Sequence, residues 1–166
     1  HNDEPLKKVS TQNIAVLFVD IIGFTRFAAA RAPEDVISTL RDFHGRMEAE
    51  VFRHNGTLDK FLGDGLMATF GTPSTGPDDA ARALACARAM IAELDAWNSA
   101  RASAGEPELR AGIGVHYGPA VLGDIGGNRL EFAAIGNTVN VASRLEGMTR
   151  DLDARLVVSD ELLTNA

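Results

Sequence analysis

The stretch from Leu58 to Phe70, LDKFLGDGLMATF, is the feature that most restricts the fold. Two apolar runs flank Gly63 to Gly65, and the Asp-Gly pair suits the positive φ angles of a tight hairpin. We therefore predict a β-hairpin with strands near 57–62 and 66–70. Lys60 lies among apolar neighbours, although lysine is rarely buried without a partner. Taken alone, it is explained by a stem that covers apolar surface while the amine reaches water.

Three helical patterns surround the hairpin. From Pro33, apolar residues recur at steps of three and four along one face of a long helix. Asn55-Gly56 ends that helix, because glycine favours the left-handed cap. A second helix begins near Pro77, and the polar stretch 98–108 after it is predicted to be a loop. A third helix begins near Thr138.

Two further regions are predicted to be strands. Ile14 to Val19 is a short apolar run with β-branched residues, which indicates a buried strand ending at Asp20. Residues 109–116 and 120–125 predict a second hairpin that turns near Gly118-Pro119.

The C-terminal part adds a short strand at 155–158 and a helical turn capped by Asp160. The resulting order is β-α-β-β-α-β-β-α-β. It predicts an α+β fold with a ferredoxin-like βαββαβ core, extended by an extra hairpin and helix. We expect a mainly antiparallel sheet with helices on one face.

Bulk composition excludes several functional classes. The net charge is -7 and no long basic run is present, so the footprint of a nucleic-acid-binding protein is absent. No apolar run approaches the roughly 18 residues of a membrane span. Cys86 is the only cysteine and fits a small core residue in a reducing compartment. We expect a cytoplasmic domain.

The 166 residues suit one domain, which we place at 14–166 after a lead-in at 1–13. The chain begins with His1 rather than Met, which predicts that it is cut from a longer protein. An upstream sensor or regulatory domain, or a membrane anchor, is left open.

Two carboxylates stand near strand ends. In a ferredoxin-like core the first strand neighbours the following hairpin, so Asp20 can approach Asp64 in the turn. Two carboxylates at such a short distance repel each other unless a proton or a metal lies between them. Hard oxygen ligands favour Mg²⁺, which takes one or two carboxylates plus substrate phosphates. The alternative is that Asp20 caps a helix and Asp64 is an ordinary turn residue.

Asn140 and Arg144 lie four residues apart in the third helix and share one face. Asparagine can orient a sugar oxygen or a ring, and the arginine fork suits phosphate oxygens. The alternative is a solvated polar face.

Four segments in order resemble the catalytic domain of the class III nucleotide cyclases, most closely the bacterial adenylate cyclases. They are FVDIIGFT at 18–25, GTLDKFLGDGLMATFG at 56–71, RAGIGVHYGPAVLGDIG at 110–126 and IGNTVNVASRLE at 135–146. A single Gly-Asp-Gly is a weak signal, but four long motifs with matching spacing are specific. The resemblance extends over nearly the whole chain from Ile14.

The resemblance implies the metal site and the catalytic groups. Asp20 and Asp64 match the pair that holds two Mg²⁺ or Mn²⁺ ions, with the Ile21 carbonyl as a further ligand. Asn140 matches the residue that orients the ribose. Arg144 matches the arginine on the α-phosphate in the transition state.

The resemblance also implies substrate contacts. Lys60 matches the position that reads the purine, where lysine accompanies adenine and glutamate accompanies guanine. The first motif adds Ile21, Gly23, Phe24 and Thr25 as substrate-binding residues. The second purine-reading position falls on Ala133, counted back from Gly136.

The implied reaction converts ATP to 3′,5′-cyclic AMP and pyrophosphate. Lys60 and Asp64 are four residues apart, about 13 Å along an extended strand, and cannot pair. In the family they serve different sites of a head-to-tail dimer, so a homodimer would carry two composite sites and a monomer would be inactive.

The chain departs from the family pattern in three places. Alanine at position 133 has no polar group for the adenine amine, which predicts weaker discrimination between ATP and GTP. Pro119 replaces an arginine of some members. Family members also continue into another strand pair carrying a lysine on the triphosphate, and that segment is expected to be absent here.

Two alternative functions therefore stay open. One is a purine cyclase with relaxed choice between ATP and GTP. The other is a catalytically silent regulatory or dimerisation domain.

Overall fold

The computed structural model describes residues 10–125, 129–134 and 137–166. The strands are β1 (Ser10–Ile22), β2 (Thr57–Leu62), β3 (Gly65–Phe70), β4 (Arg110–Ile125), β5 (Arg129–Ala134) and β6 (Leu156–Val158). The helices are α1 (Phe24–Ala29), α2 (Pro33–Arg53), α3 (Asp79–Ser103), α4 (Thr138–Leu152) and α5 (Asp160–Asn165).

One sheet joins all these strands in the order β2-β3-β1-β4-β5, with β6 paired to β4. Neighbours along that path are antiparallel, and only the β4–β6 pair is parallel. The prediction of an α+β fold with a mainly antiparallel sheet is confirmed. The predicted bounds of the β2–β3 hairpin and of α2 also agree with the structure.

Helices cover both faces of the sheet, so the expectation of helices on one face is wrong. On one face, Leu17 of β1 belongs to a core that includes Phe43 of α2 and Trp97 of α3. On the other face, Ile14 and Val16 are clustered with Ala142 of α4. The apolar run of β1 is continuous rather than alternating because this central strand is buried on both faces.

Gly118 and Pro119 lie inside the 16-residue β4 and not in a turn, which corrects the second hairpin. The antiparallel β4–β5 register instead extends to the pair Ile125 and Arg129. A Cβ on Gly118 would lie 2.9 Å from Oγ1 of Thr138. That hydroxyl donates to the Pro119 carbonyl at 2.7 Å. Gly118 and Pro119 therefore form the surface on which Thr138, the first residue of α4, packs.

The predicted loop at 98–108 is also corrected, since α3 continues to Ser103. Asn98 lies in the helix, where its amide accepts from the Leu109 backbone N–H at 2.9 Å and donates to the Leu109 carbonyl at 2.8 Å. Asn98 is a polar residue typical of loops, but here its side chain hydrogen-bonds the backbone just before β4.

Two local predictions shift by one residue. Asn55 rather than Gly56 adopts the left-handed conformation after α2, with φ 57°. Ser159 rather than Asp160 caps α5, because its hydroxyl accepts from the Leu162 N–H. Helix α1 is not predicted from the sequence. Within the described residues, no helix is long and apolar enough to cross a bilayer.

Candidate active site

Gly65 is where the hairpin meets β1. In the β1–β3 ladder Val19 pairs with Leu66, which places Gly65 beside Asp20. A Cβ on Gly65 would lie 2.0 Å from the Val19 carbonyl oxygen and 2.8 Å from Oδ1 of Asp20. Only glycine permits this approach. It brings the end of β1 against the hairpin turn, as the topology predicted.

Asp64 occupies that turn. The β2–β3 register closes at Leu62 and Gly65, so the turn residues are Gly63 and Asp64. Gly63 carries the positive φ of 56°, which corrects the expectation that the Asp-Gly pair supplies it. Burial raises the pKa of Asp64, while a hydrogen bond to its own backbone and the charge of Arg150 act in the opposite direction.

Asp20 is incompletely partnered. Its Oδ1 is buried and makes no hydrogen bond, and its Oδ2 lies 3.7 Å from Nη2 of Arg150. The alternative of a helix cap is excluded, because Gly23 holds the N-cap of α1 and no side chain caps that helix. A buried carboxylate oxygen without a donor is costly unless something outside the chain meets it.

The donor set fits Mg²⁺ or Mn²⁺. Among the described residues, no group of three or more His, Cys, Asp or Glu side chains suited to a metal occurs. Two carboxylates with one orphaned oxygen match a hard cation that takes its other ligands from backbone, water and substrate. Ile21 is 2% exposed and pairs with Ala111 in the β1–β4 ladder, so the ligand role of its carbonyl stays a prediction.

Lys60 is exposed rather than buried. It lies on β2, where its ammonium pairs with the Asp59 carboxylate at 3.4 Å. The next residue, Phe61, stacks on the ring of His44 from α2 with centroids 4.4 Å apart. Burial lowers the pKa of His44, and contact with the Asp64 backbone and the charge of Glu48 oppose that shift. Helix α2 thus packs against the β2–β3 hairpin through His44.

Asn140 and Arg144 are both exposed on α4. Within the described residues, neither side chain makes a hydrogen bond or an ion pair with another residue. The helix lies directly on β4, since a Cβ on Gly114 would lie 2.2 Å from the Glu146 backbone nitrogen. The single chain therefore presents these two side chains to solvent.

Residues 6–163 match the family described as the adenylate and guanylate cyclase catalytic domain. The chain belongs to this family. Adenylate cyclase 1 of Rhizobium meliloti (strain 1021) is 39% identical over 149 residues, which are 89% of this chain and 22% of that protein. An adenylate cyclase of Anabaena cylindrica is 33% identical over 161 residues, which are 94% of this chain and 31% of that protein. The cyclase domain thus spans under a third of these two relatives.

Solved structures give the same fold. The guanylyl cyclase Cya2 superposes with a TM-score of 0.81 at 32% identity, covering 96% of this chain and 80% of that one. The adenylyl cyclase CyaB from P. aeruginosa gives 0.80 at 28% identity, covering 95% and 81%. These neighbours act on different purines, so the likeness assigns a nucleotide cyclase domain and leaves the base open.

Gly23, Phe24 and Thr25 follow β1 of the cyclase domain directly in the chain. Gly23 adopts φ 74°, and a Cβ there would meet nothing within 4 Å. Phe24 stacks on Phe27, centroids 5.8 Å apart, and packs against the core. Thr25 is exposed at the start of α1. Substrate binding by this segment stays a prediction.

Ala133 lies in β5, where its backbone pairs with Val121 of β4. Gly136, from which its position was counted, falls outside the described residues. The purine-reading role of Ala133 also stays a prediction.

Sequence reasoning missed two residues beside the carboxylates of the cyclase domain, Arg150 and Glu146. They are four apart on α4 and form an ion pair. The available signal was Gly112 and Gly114 at alternate positions of β4, since glycine within a strand often marks a close backbone approach. That approach lays the C-terminal half of α4 across the end of β1.

Proposed function

We propose that this domain is an adenylate cyclase that converts ATP to 3′,5′-cyclic AMP and pyrophosphate at two composite sites of a head-to-tail homodimer. The observation that carries the proposal is the meeting of Asp20 with the Asp64 turn at Gly65, with one Asp20 oxygen buried and unpartnered. A carboxylate with an unpartnered oxygen, next to a turn that carries a second carboxylate, suits a divalent-cation site for a nucleoside triphosphate.

Each residue has a stated part in this proposal. Asp20, Asp64 and the Ile21 carbonyl hold two Mg²⁺ or Mn²⁺ ions. When bound, these ions lower the pKa of the ribose 3′-hydroxyl and offset the charge of the triphosphate. From the partner chain, Asn140 orients the ribose, and Arg144 donates to the α-phosphate as its charge grows in the transition state. Lys60, also from the partner chain, donates a hydrogen bond to the edge of adenine.

Exposure of the second half-site supports a dimer. Asn140, Arg144 and Lys60 are exposed in the single chain and make no contact with Asp20. A twofold arrangement would supply two equivalent sites, each built from both chains. An upstream sensor or regulatory domain in a full-length protein stays a prediction, as does a cytoplasmic location.

The test is turnover of ATP and GTP with Mg²⁺ and with Mn²⁺. Asp64→Asn should abolish cyclisation, because one of two metal carboxylates is lost. Persistent cyclic nucleotide formation in that variant would refute the metal assignment. No turnover by the wild-type domain, with dimerisation intact, would favour the alternative of a silent regulatory domain.

Chain mixing tests the composite site. Co-expressed Asp64→Asn and Arg144→Ala chains form heterodimers with one intact site, so activity should return to roughly a quarter of the wild-type value. The matched control pairs Asp64→Asn with Asp20→Asn, which places both defects on the metal side and leaves no intact site. Equal activity in the two mixtures contradicts the shared site.

A second candidate activity follows from Ala133. A site that lacks a hydrogen-bonding partner for the purine amine discriminates by about 10–200-fold rather than 10⁴-fold. We expect the ratio of kcat/KM for ATP over GTP to fall in that lower range. It should rise in Ala133→Thr, and an unchanged ratio would remove Ala133 from base selection.

A further inference from the structure

Arg150 is a cation that acts on both members of the carboxylate pair. Its Nη2 lies 3.7 Å from Oδ2 of Asp20, and its charge lowers the pKa of Asp64 against the effect of burial. One guanidinium thus acts on both proposed metal ligands.

The guanidinium is shared with Glu146. Its Nη1 donates to the Glu146 side-chain Oε2 and to the Glu146 carbonyl at 3.2 Å. The Glu146 carboxylate can therefore keep its ion pair with Arg150 when Asp20 binds a cation instead.

The turn of α4 that carries Arg150 is fixed by its packing on β4. Thr149 is fully buried, and its hydroxyl donates to the Glu146 carbonyl at 2.6 Å. A Cβ on Gly112 would lie 2.2 Å from that hydroxyl oxygen, so the helix contacts β4 at this turn. The position of the guanidinium follows from the packing of α4, although 37% of its side chain is exposed.

We propose that Arg150 is an internal counter-ion of the Asp20–Asp64 pair, which stabilises the cation-free site and lowers its affinity for divalent cations. The inference rests on the metal site of the proposed function. Two neighbouring carboxylates repel, and a guanidinium a few ångströms away offsets part of that cost. A divalent cation then enters against a positive charge, and Glu146 receives the guanidinium that Asp20 releases. Arg150 is thus a positioning residue, not a catalytic one.

Mn²⁺ binding without nucleotide tests this, measured by the loss of the free-ion signal in electron paramagnetic resonance. Arg150→Gln should bind Mn²⁺ about five- to tenfold more tightly than wild type at low salt. The gain should shrink in 0.5 M NaCl, since the side chain is partly exposed to screening ions. Arg150→Lys keeps the charge and should stay within about twofold of wild type.

Arg155→Gln is the matched control, because it removes the same charge from an exposed arginine that pairs with Asp95 instead. It should leave the Mn²⁺ affinity within about twofold of wild type. An Arg150→Gln affinity equal to or weaker than wild type, or an equal gain in Arg155→Gln, would overturn the inference.

A double-mutant cycle tests the part of Glu146. Glu146→Gln removes a negative charge and frees Arg150 for Asp20, so Mn²⁺ affinity should fall about threefold or more. In the Arg150→Gln background the same change should cost less, and equal losses in both backgrounds would contradict the shared guanidinium. If no variant shows Mn²⁺ binding that depends on Asp64, the proposed metal site itself fails. If wild type binds and only the Arg150 effects are missing, the proposed function stands and this inference alone fails.

Discussion

Two aspartates of this domain, Asp79 and Asp20, differ in what surrounds them. Asp79, at the start of α3, is 1% exposed and fully partnered. Its Oδ2 accepts from the Gly76 N–H at 2.8 Å, and its Oδ1 accepts from Nη2 of Arg82 at 2.5 Å. Asp20 is more exposed, at 34%, yet its Oδ1 is buried with no donor.

The difference teaches that burial alone does not identify a functional acid. The fold supplies every partner of Asp79, which makes that carboxylate part of the scaffold. The fold leaves Oδ1 of Asp20 buried without a donor, and Gly65 brings the turn that carries Asp64 against Asp20. A buried oxygen without a donor costs free energy, which a ligand from outside the chain would offset.

Asp79→Asn should have the largest effect on stability. Asparagine has one acceptor oxygen in place of two, so it cannot accept from both Gly76 and Arg82, and it carries no charge for the buried ion pair. Loss of that pair costs about 3 kcal/mol. For a chain of this size that lowers Tm by about 6–12 °C, measured by calorimetry in EDTA. Asp20→Asn under the same conditions should cost far less. A larger loss in Asp20→Asn would break the distinction between the two acids.

Gly65→Ala should have an intermediate effect on stability and a specific effect on metal binding. The new Cβ meets backbone at 2.0 Å, so the hairpin must move away from β1 at a cost of about 2 kcal/mol. Separation of Asp64 from Asp20 should abolish tight Mn²⁺ binding.

Gly63→Ala is the control, since its Cβ meets nothing within 4 Å and only the positive φ is strained, at about 1 kcal/mol. Mn²⁺ binding should survive in Gly63→Ala. Equal loss of binding in both variants would mean that the turn conformation, and not the contact with Asp20, assembles the site.

Asp64→Asn should have the smallest effect on stability, and of opposite sign. Burial raises the pKa of Asp64, so its stabilising contribution is present below the unfolded pKa near 3.8 and is lost as the pH rises through the folded pKa. At pH 7 in EDTA the ionised Asp64 carboxylate destabilises the folded state, so its removal should raise Tm by about 1–2 °C. The gain should vanish below pH 3.8, as followed by thermal melts across pH. A loss of Tm at pH 7 would show that Asp64 is as well partnered as Asp79.

Local patterns predicted much of the fold. The hairpin at Thr57–Leu62 and Gly65–Phe70 and the helix Pro33–Arg53 follow from periodicity and turn residues within a few positions. The turn expected at Gly118-Pro119 was wrong, because those residues serve the docking of α4, a contact with a segment about twenty residues later in the chain. The loop expected at 98–108 was wrong because Asn98 has its partners at Leu109.

The sequence by itself determined the family, the element types and the candidate residues of the site, since these are carried by motifs and by spacing along the chain. Only the tertiary structure decided that Oδ1 of Asp20 lacks a donor, that Gly65 lets the hairpin lie against β1, and that Arg150 lies 3.7 Å from Asp20. These depend on distances between segments far apart in sequence. Such distances arise from how α4 and the hairpin pack on the sheet, which no local pattern of residues specifies.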